Sequence, residues 1–233
     1  MKKNLYLLLK LTIVMLIAQS CVKEKKTSIN TSNGTNNSAT VTDVDGNVYN
    51  TVTICGQVWM KGNLRVTKYR NGDIIGTTSA GTSGESTPKY QWPSDGNESN
   101  VSIYGRFYTY YVVTDSRGIA PAGWHIPSQS EWETLVTCLG GDYSLIGGIL
   151  KETGTTHWQS PNNASNTYSF TALPAGYRNY STFNLFGQLA AYWSTTATTS
   201  TEAYTPYVYN NSTTLLTNGS TKNYGYSVRC IKD

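Results

Sequence analysis

Charge and histidine are scarce in this chain of 233 residues, which has 14% charged residues and two histidines. The formal net charge is +4, and it falls to +1 without residues 1–20, which hold three lysines and no acidic residue. A nearly neutral chain lacks the basic patch of nucleic-acid-binding proteins, so we predict no nucleic-acid partner. No CxxC pair or Cys/His cluster has metal-ligand spacing, so we predict no metal and no cofactor.

The apolar run over residues 5–18 is too short, and too interrupted, for a membrane-spanning helix. It follows a basic start, an arrangement typical of an export signal. Ala-Gln-Ser-Cys at residues 18–21 resembles a bacterial lipobox. We therefore predict a lipoprotein signal peptide over residues 1–20, lipidation of Cys21, and attachment through this lipid to the cell envelope, at the outer membrane or cell surface. An ordinary secretory signal followed by a chance cysteine is the alternative.

Residues 21–40 contain few apolar side chains and consist mostly of Ser, Thr, Asn and Gly after a short charged start. Such a segment cannot offset its ordering entropy, so we predict a disordered tether. Residues 41–233 then form one domain of ordinary size. The 18 tyrosines, six tryptophans and 21 glycines, with little charge, are typical of a loop-rich, β-containing extracellular domain.

Cysteine is scarce as well, with four in the chain: Cys21, Cys55, Cys138 and Cys230. If Cys21 carries the lipid, the other three allow at most one internal disulfide. Export would permit that bond chemically. Three buried free thiols are an equally good interpretation of the residues alone, with Cys138 expected in the core.

Two local patterns predict structure clearly. Asp45-Gly46 lies between two β-rich runs and predicts a hairpin, which we prefer to a calcium loop because Ile54 stands where such a loop needs glutamate. Ser128 and Glu131 form a capping box ahead of an apolar face, which predicts a helix over residues 130–139.

Other segments are less clear from pattern alone. A short helix is expected over residues 143–151. Residues 104–113 combine strand-forming residue types with a helical stripe of aromatics, and either structure fits. Strand-like pieces are expected at residues 170–173, 187–194, 204–209 and 226–231.

A set of motifs in fixed order resembles the Fibrobacter succinogenes major paralogous domain, found in exported proteins of Bacteroidetes and Fibrobacter relatives. The resemblance covers about residues 43–233. The motifs are DGNVY at 45–49, QVWMKGNL at 57–64, GWHIPS at 123–128 with EW at 131–132, LKE at 150–152, HW at 157–158, LPAGYR at 173–178, YWST at 192–195 and SVRC at 227–230.

That family is similar to the C-type lectin-like superfamily, which implies an α+β fold with twisted antiparallel sheets, two main helices and long irregular loops. The resemblance places the first helix at residues 104–113 and the second at 130–139. Many members have a cysteine where this chain has Ala120. The resemblance therefore implies a Cys55–Cys230 disulfide instead.

The resemblance also reaches formylglycine-generating enzymes, which use two cysteines near the C-terminal end of the chain. Only Cys230 is present here, which argues against that activity. Calcium-dependent lectins of the superfamily bind calcium and sugar through a Glu-Pro-Asn or Gln-Pro-Asp motif. Ser160 precedes Pro161 here, so this motif is absent. We expect His125 to be packed and hydrogen-bonded rather than a catalytic base, and Arg178 and Arg229 to satisfy buried carbonyls or carboxylates.

We therefore predict a non-catalytic binding module whose partner is a glycan or an envelope protein. Trp92, Tyr204, Tyr207 and Tyr209 are the candidate ligand residues, because tyrosine and tryptophan rings stack on sugars. Packing in the core is the alternative role for these aromatics. A structural subunit of a surface assembly and an enzyme related to formylglycine-generating enzymes are the alternative functions.

Overall fold

A computed structural model describes residues 39–233. The predicted signal peptide, the lipidation at Cys21 and the tether up to residue 38 lie outside the described residues. No helix in the described part is long and apolar enough to cross a membrane.

Twelve short strands and four short α-helices follow one another along residues 39–233. In chain order they are β1 Thr40–Thr42, β2 Val48–Ile54, β3 Gln57–Met60, β4 Gln91–Pro93, α1 Val101–Tyr104, β5 Arg106–Tyr108, α2 Tyr110–Val113, β6 Trp124–His125, α3 Gln129–Cys138, α4 Tyr143–Leu150, β7 Tyr177–Arg178, β8 Phe183–Asn184, β9 Leu189–Ala191, β10 Glu202–Tyr209, β11 Leu216–Thr221 and β12 Ile231–Lys232.

The strands form a five-stranded sheet in the order β1-β2-β3-β12-β6, a three-stranded sheet β11-β10-β9, and the pairs β4-β5 and β7-β8. Every pairing between these strands is antiparallel. The C-terminal strand β12 lies between β3 and β6, so the two ends of the domain share one sheet. The α+β fold class is thus confirmed.

Three local predictions are confirmed. β1 and β2 form the hairpin, and the Asp43 carboxylate accepts hydrogen bonds from the backbone N–H groups of Asp45 and Asn47 in its turn. α3 begins with the complete capping box of Ser128 and Glu131. α4 is the predicted short helix.

The prediction of a single helix over residues 104–113 is wrong. Gly105 ends α1 with φ at 77°, and a Cβ at this position would come within 2.7 Å of the Cβ of Asn63. The chain then runs as β5, in which Phe107 pairs with Trp92, before the single turn of α2. The aromatic residues of this segment therefore pack on both sides of a strand.

Of the strand-like pieces, residues 204–209 lie in β10 and residues 187–194 contain β9. Residues 226–231 contribute isolated bridges and the start of β12. Residues 170–173 are not a strand, because Ser169 and Thr171 both have φ of 58°, which interrupts the extended chain.

The disulfide prediction is wrong in its partner: Cys55 is bonded to Cys138, with their Cα atoms 6.4 Å apart, and Cys230 is free. Cys55 lies at the exposed turn between β2 and β3, beside the end of α3. The carbonyl of Cys230 accepts a hydrogen bond from the N–H of Met60, at the opposite end of β3. Cys138 is therefore an exposed disulfide partner and not a core thiol, whereas Cys230 is fully buried.

Candidate functional site

The three-stranded sheet separates two parts of the core, because side chains alternate between its faces. Tyr204 and Val208 of β10 point to the face that packs against Ile146 and Leu150 of α4. Tyr207 and Tyr209 point to the opposite face. Both are half-buried there against the other large cluster.

The face bearing Tyr207 and Tyr209 is the floor of an open cavity of about 180 Å³, which we call the tyrosine cavity. The register places Leu189 and Ala191 of β9 opposite these tyrosines, on the same face. On the other side of β10, Asn218 and Ser220 pair with Thr205 and Ala203. Asn218 and Ser220 thereby bring an amide and a hydroxyl to the lining.

Tyr177, Leu185 and Tyr226 complete the wall of the tyrosine cavity. The rings of Tyr177 and Tyr226 are stacked, with centroids 5.5 Å apart and an angle of 13° between their planes. Trp193 meets Tyr226 edge-on at 4.8 Å, which fixes the ring from the core side. The wall is thus built from aromatic residues held in place by other aromatic residues.

Gly176 determines how Tyr177 enters this wall. Its φ is 75°, and its N–H donates to the carbonyl of Leu189. A side chain at this position would collide with the carbonyl of Asn184, so only glycine permits the close approach of the two segments.

Lys151 fixes the end of β10, the strand that carries Tyr207 and Tyr209. Its side chain is fully buried, and its Nζ donates to the carbonyls of Tyr209, Asn210 and Ser212 at 2.8–3.1 Å. These three bonds fix the chain as it leaves β10, and with it the position of Tyr209. Burial lowers the pKa of the Lys151 amine to about 8.

The tyrosine cavity has no charged side chain in its lining. Burial raises the pKa of Tyr207, Tyr177 and Tyr226, and the neighbouring Asn218 and Ser220 side chains only partly offset this for Tyr207 and Tyr226. These hydroxyls are therefore protonated at neutral pH, when each can donate and accept a hydrogen bond. The site is suited to a neutral, polar ligand.

Two of the four predicted ligand residues, Tyr207 and Tyr209, lie together in this cavity. The other two do not, and for them the prediction is wrong. Trp92 is only 3% exposed and donates its indole N–H to the carbonyl of Thr78. The guanidinium carbon of Arg178 lies over its ring, 4.1 Å from the ring centre. Tyr204 is on the α4 side of β10. Both are core residues, which leaves no ring face for a ligand.

Sequence reasoning missed Tyr177, Tyr226, Asn218 and Ser220. Tyr177 follows a Pro-Ala-Gly motif and could have been suspected from that turn. Asn218 and Ser220 lie in a polar strand with little hydrophobic alternation, so the register that brings them to the cavity is not visible in the sequence.

His125 is held between two carboxylates. Its Nε2 contacts Glu131 Oε1 and its Nδ1 contacts Asp233 Oδ1, both at 2.6 Å. Burial lowers the pKa of His125, but the hydrogen bonds to Asp233 and Glu131 outweigh it, and the net pKa is raised. The expectation of a hydrogen-bonded histidine is confirmed, although 39% of the side chain is exposed.

Arg178 and Arg229, both buried, satisfy carbonyls, as expected. Arg178 donates to the carbonyls of Tyr180 and Ala80. Arg229 donates to the carbonyl of Phe170 and to the side chain of Asn63. Both guanidinium groups therefore tie distant loops together within the core.

A comparison with known protein families matches residues 52–232 to the Fibrobacter succinogenes major domain. Neither the comparison with curated proteins nor that with solved structures gives a match. The family match includes all the strands and loops that build the tyrosine cavity and covers well over half of the chain. The chain belongs to the Fibrobacter succinogenes major domain family.

Proposed function

We propose that this domain is a non-catalytic binding module, displayed on the cell envelope by a lipid anchor, that binds a neutral sugar residue in the tyrosine cavity. The observation that carries the proposal is an open, uncharged cavity whose lining combines four tyrosine rings with an amide and a hydroxyl.

The size of the cavity favours a single ring. Its volume of about 180 Å³ is below the range of roughly 300–1,000 Å³ in which drug-sized ligands bind. An extended oligosaccharide would place one residue in the cavity and its neighbours on the surface outside it. We therefore expect recognition of one terminal or exposed sugar residue.

The chemistry of the lining fits such a ring. The rings of Tyr207 and Tyr209 are 5.8 Å apart and nearly perpendicular, so a ligand can contact the face of one and the edge of the other. C–H faces of sugars pack on aromatic rings, while hydroxyls need partners such as the Asn218 amide, the Ser220 hydroxyl and the tyrosine hydroxyls. With no carboxylate in the lining, binding is expected to be independent of calcium.

Export is supported by the disulfide as well as by the N-terminal sequence. Cys55 and Cys138 are both exposed, and a solvent-exposed disulfide persists in oxidising compartments outside the cytoplasm. The tether and lipid would then hold the binding face away from the membrane.

The test is a glycan array probed with residues 38–233, in the presence of calcium and again with a chelator. We expect binding to one class of neutral sugar in both conditions, lost in Tyr207→Ala and weakened in Asn218→Ala. Tyr168→Ala removes an exposed tyrosine outside the cavity and is the matched control. Chelator sensitivity, or equal binding by Tyr207→Ala and Tyr168→Ala, would contradict the proposed site. A blank array in both conditions would favour a protein partner.

A further inference from the structure

A second cavity, of about 230 Å³, lies where β2 meets the chain that follows β3. We call it the basic cavity, because Lys61 and Arg65 line it and no carboxylate does. Asn50 and Ser102 add further polar groups. Its lining therefore has the opposite character to that of the uncharged tyrosine cavity.

Neither cation of the basic cavity is neutralised within the described chain. None of the ion pairs among residues 39–233 includes Lys61 or Arg65. Asp43, the carboxylate hydrogen-bonded to Tyr49, is already occupied by that hydroxyl and by the N–H groups of Asp45 and Asn47. Two positive charges thus face one cavity without an ion-pair partner among residues 39–233.

The guanidinium of Arg65 is held in place before any ligand arrives. It lies 4.8 Å from the centre of the Tyr49 ring, and its Nη2 donates to the carbonyl of Val48 at 2.9 Å. The hydroxyl of Tyr49 accepts from the backbone N–H of Arg65. Arg65 Nη1 also donates to the carbonyl of Ser102 at 3.5 Å. Each of these two terminal nitrogens carries a second N–H group, which can donate to an anion.

We propose that the basic cavity binds a phosphate group, carried either by a small soluble molecule or by a lipid headgroup. Arg65 would supply directional donors and Lys61 a mobile point charge, a pairing suited to phosphate oxygens. Ser102 can donate a further hydrogen bond. Val48 and Ile103, 55% and 45% exposed, lie at the rim and offer apolar contact to whatever the phosphate is attached to.

The experiment titrates residues 38–233 at low salt with inorganic phosphate, and separately with vesicles of phosphatidylglycerol or of phosphatidylcholine. Amide NMR shifts of Gly62 and Ser102 report phosphate binding, and co-sedimentation reports vesicle binding. We expect Lys61→Gln to weaken the bound form about ten-fold and Lys61→Arg to retain it. Lys232→Gln removes an exposed lysine outside the cavity and is the control.

Shifts with inorganic phosphate would identify a soluble source, and binding to phosphatidylglycerol vesicles alone would identify a headgroup. Either result supports the proposal if Lys61→Gln weakens it about ten-fold and Lys232→Gln does not. Equal losses in the two variants, equal binding to phosphatidylcholine, or no response to either probe would overturn it.

Discussion

Breaking the disulfide between Cys55 and Cys138 should destabilise the domain strongly. The two cysteines are 83 residues apart in the sequence, so the bond closes a long loop in the unfolded chain. The chain-entropy relation gives about 4.5 kcal/mol at 25 °C for a loop of this length. Measured values commonly fall at roughly 2–4 kcal/mol, because the unfolded chain retains some structure. We expect a loss in this lower range.

The assay is urea unfolding of Cys55→Ala, Cys138→Ala and the double variant, each with and without reductant. All three should lose the same free energy of unfolding, because any one of them removes the whole cross-link. Reductant should lower the wild-type midpoint towards theirs, since both cysteines are exposed. It should leave the variants unchanged.

Cys230→Ala is the control, because it removes a buried thiol that closes no loop. It should cost about 1 kcal/mol from lost packing, and reductant should still destabilise this variant. Two findings would refute the reasoning: peptide mapping that recovers a Cys55–Cys230 bridge, or Cys55→Ala and Cys138→Ala with wild-type stability.

Three further perturbations test other parts of the structure. Folding raises the pKa of His125, so its ion pairs stabilise the folded domain when the imidazole is protonated. This stability is complete below the pKa of the unfolded chain, about 6.5, and is lost as pH rises through the pKa of the folded domain. Stability should therefore fall across this window in the wild type but not in His125→Asn, and parallel profiles would contradict the ion pairs. Gly105→Ala should cost about 2–4 kcal/mol in urea unfolding, because its backbone conformation is nearly restricted to glycine and a Cβ would press on Asn63; wild-type stability would contradict the close approach. Lys151→Met should cost about 2–4 kcal/mol in urea unfolding, because the part-buried carbonyls of Asn210 and Ser212 lose this donor and that of Tyr209 keeps only the N–H of Ser212. It should also weaken sugar binding through Tyr209, and unchanged stability would contradict this role of Lys151.

Local signals in the sequence predicted those elements whose stabilising contacts are close along the chain. The Ser128–Glu131 capping box and the Asp45-Gly46 turn are satisfied within a few residues, and both appear as expected. The helix predicted over residues 104–113 was wrong because two distant contacts decide the structure there: the strand pairing with Trp92 and the close approach of Asn63 to Gly105. Neither contact leaves a mark in the local pattern.

The candidate site was half predictable for the same reason. Tyr207 and Tyr209 are two apart on a recognisable strand, so their shared face follows from alternation. Trp92 is also aromatic, but it is buried beneath Arg178, which is far from it in the chain. The partner of Cys55 likewise depends on where the end of α3 meets the turn after β2. Such contacts follow only from the three-dimensional packing.

The most direct test of the proposed function is an NMR titration of residues 38–233 with a panel of neutral methyl hexosides. We predict saturable shifts, for at least one sugar, at the amides of Ala191, Tyr207 and Ser220, which line the tyrosine cavity. The same sugar should leave Tyr207→Ala unshifted. Shifts confined to residues outside the cavity, or no response to any member of the panel, would contradict the assignment of a sugar site to this cavity.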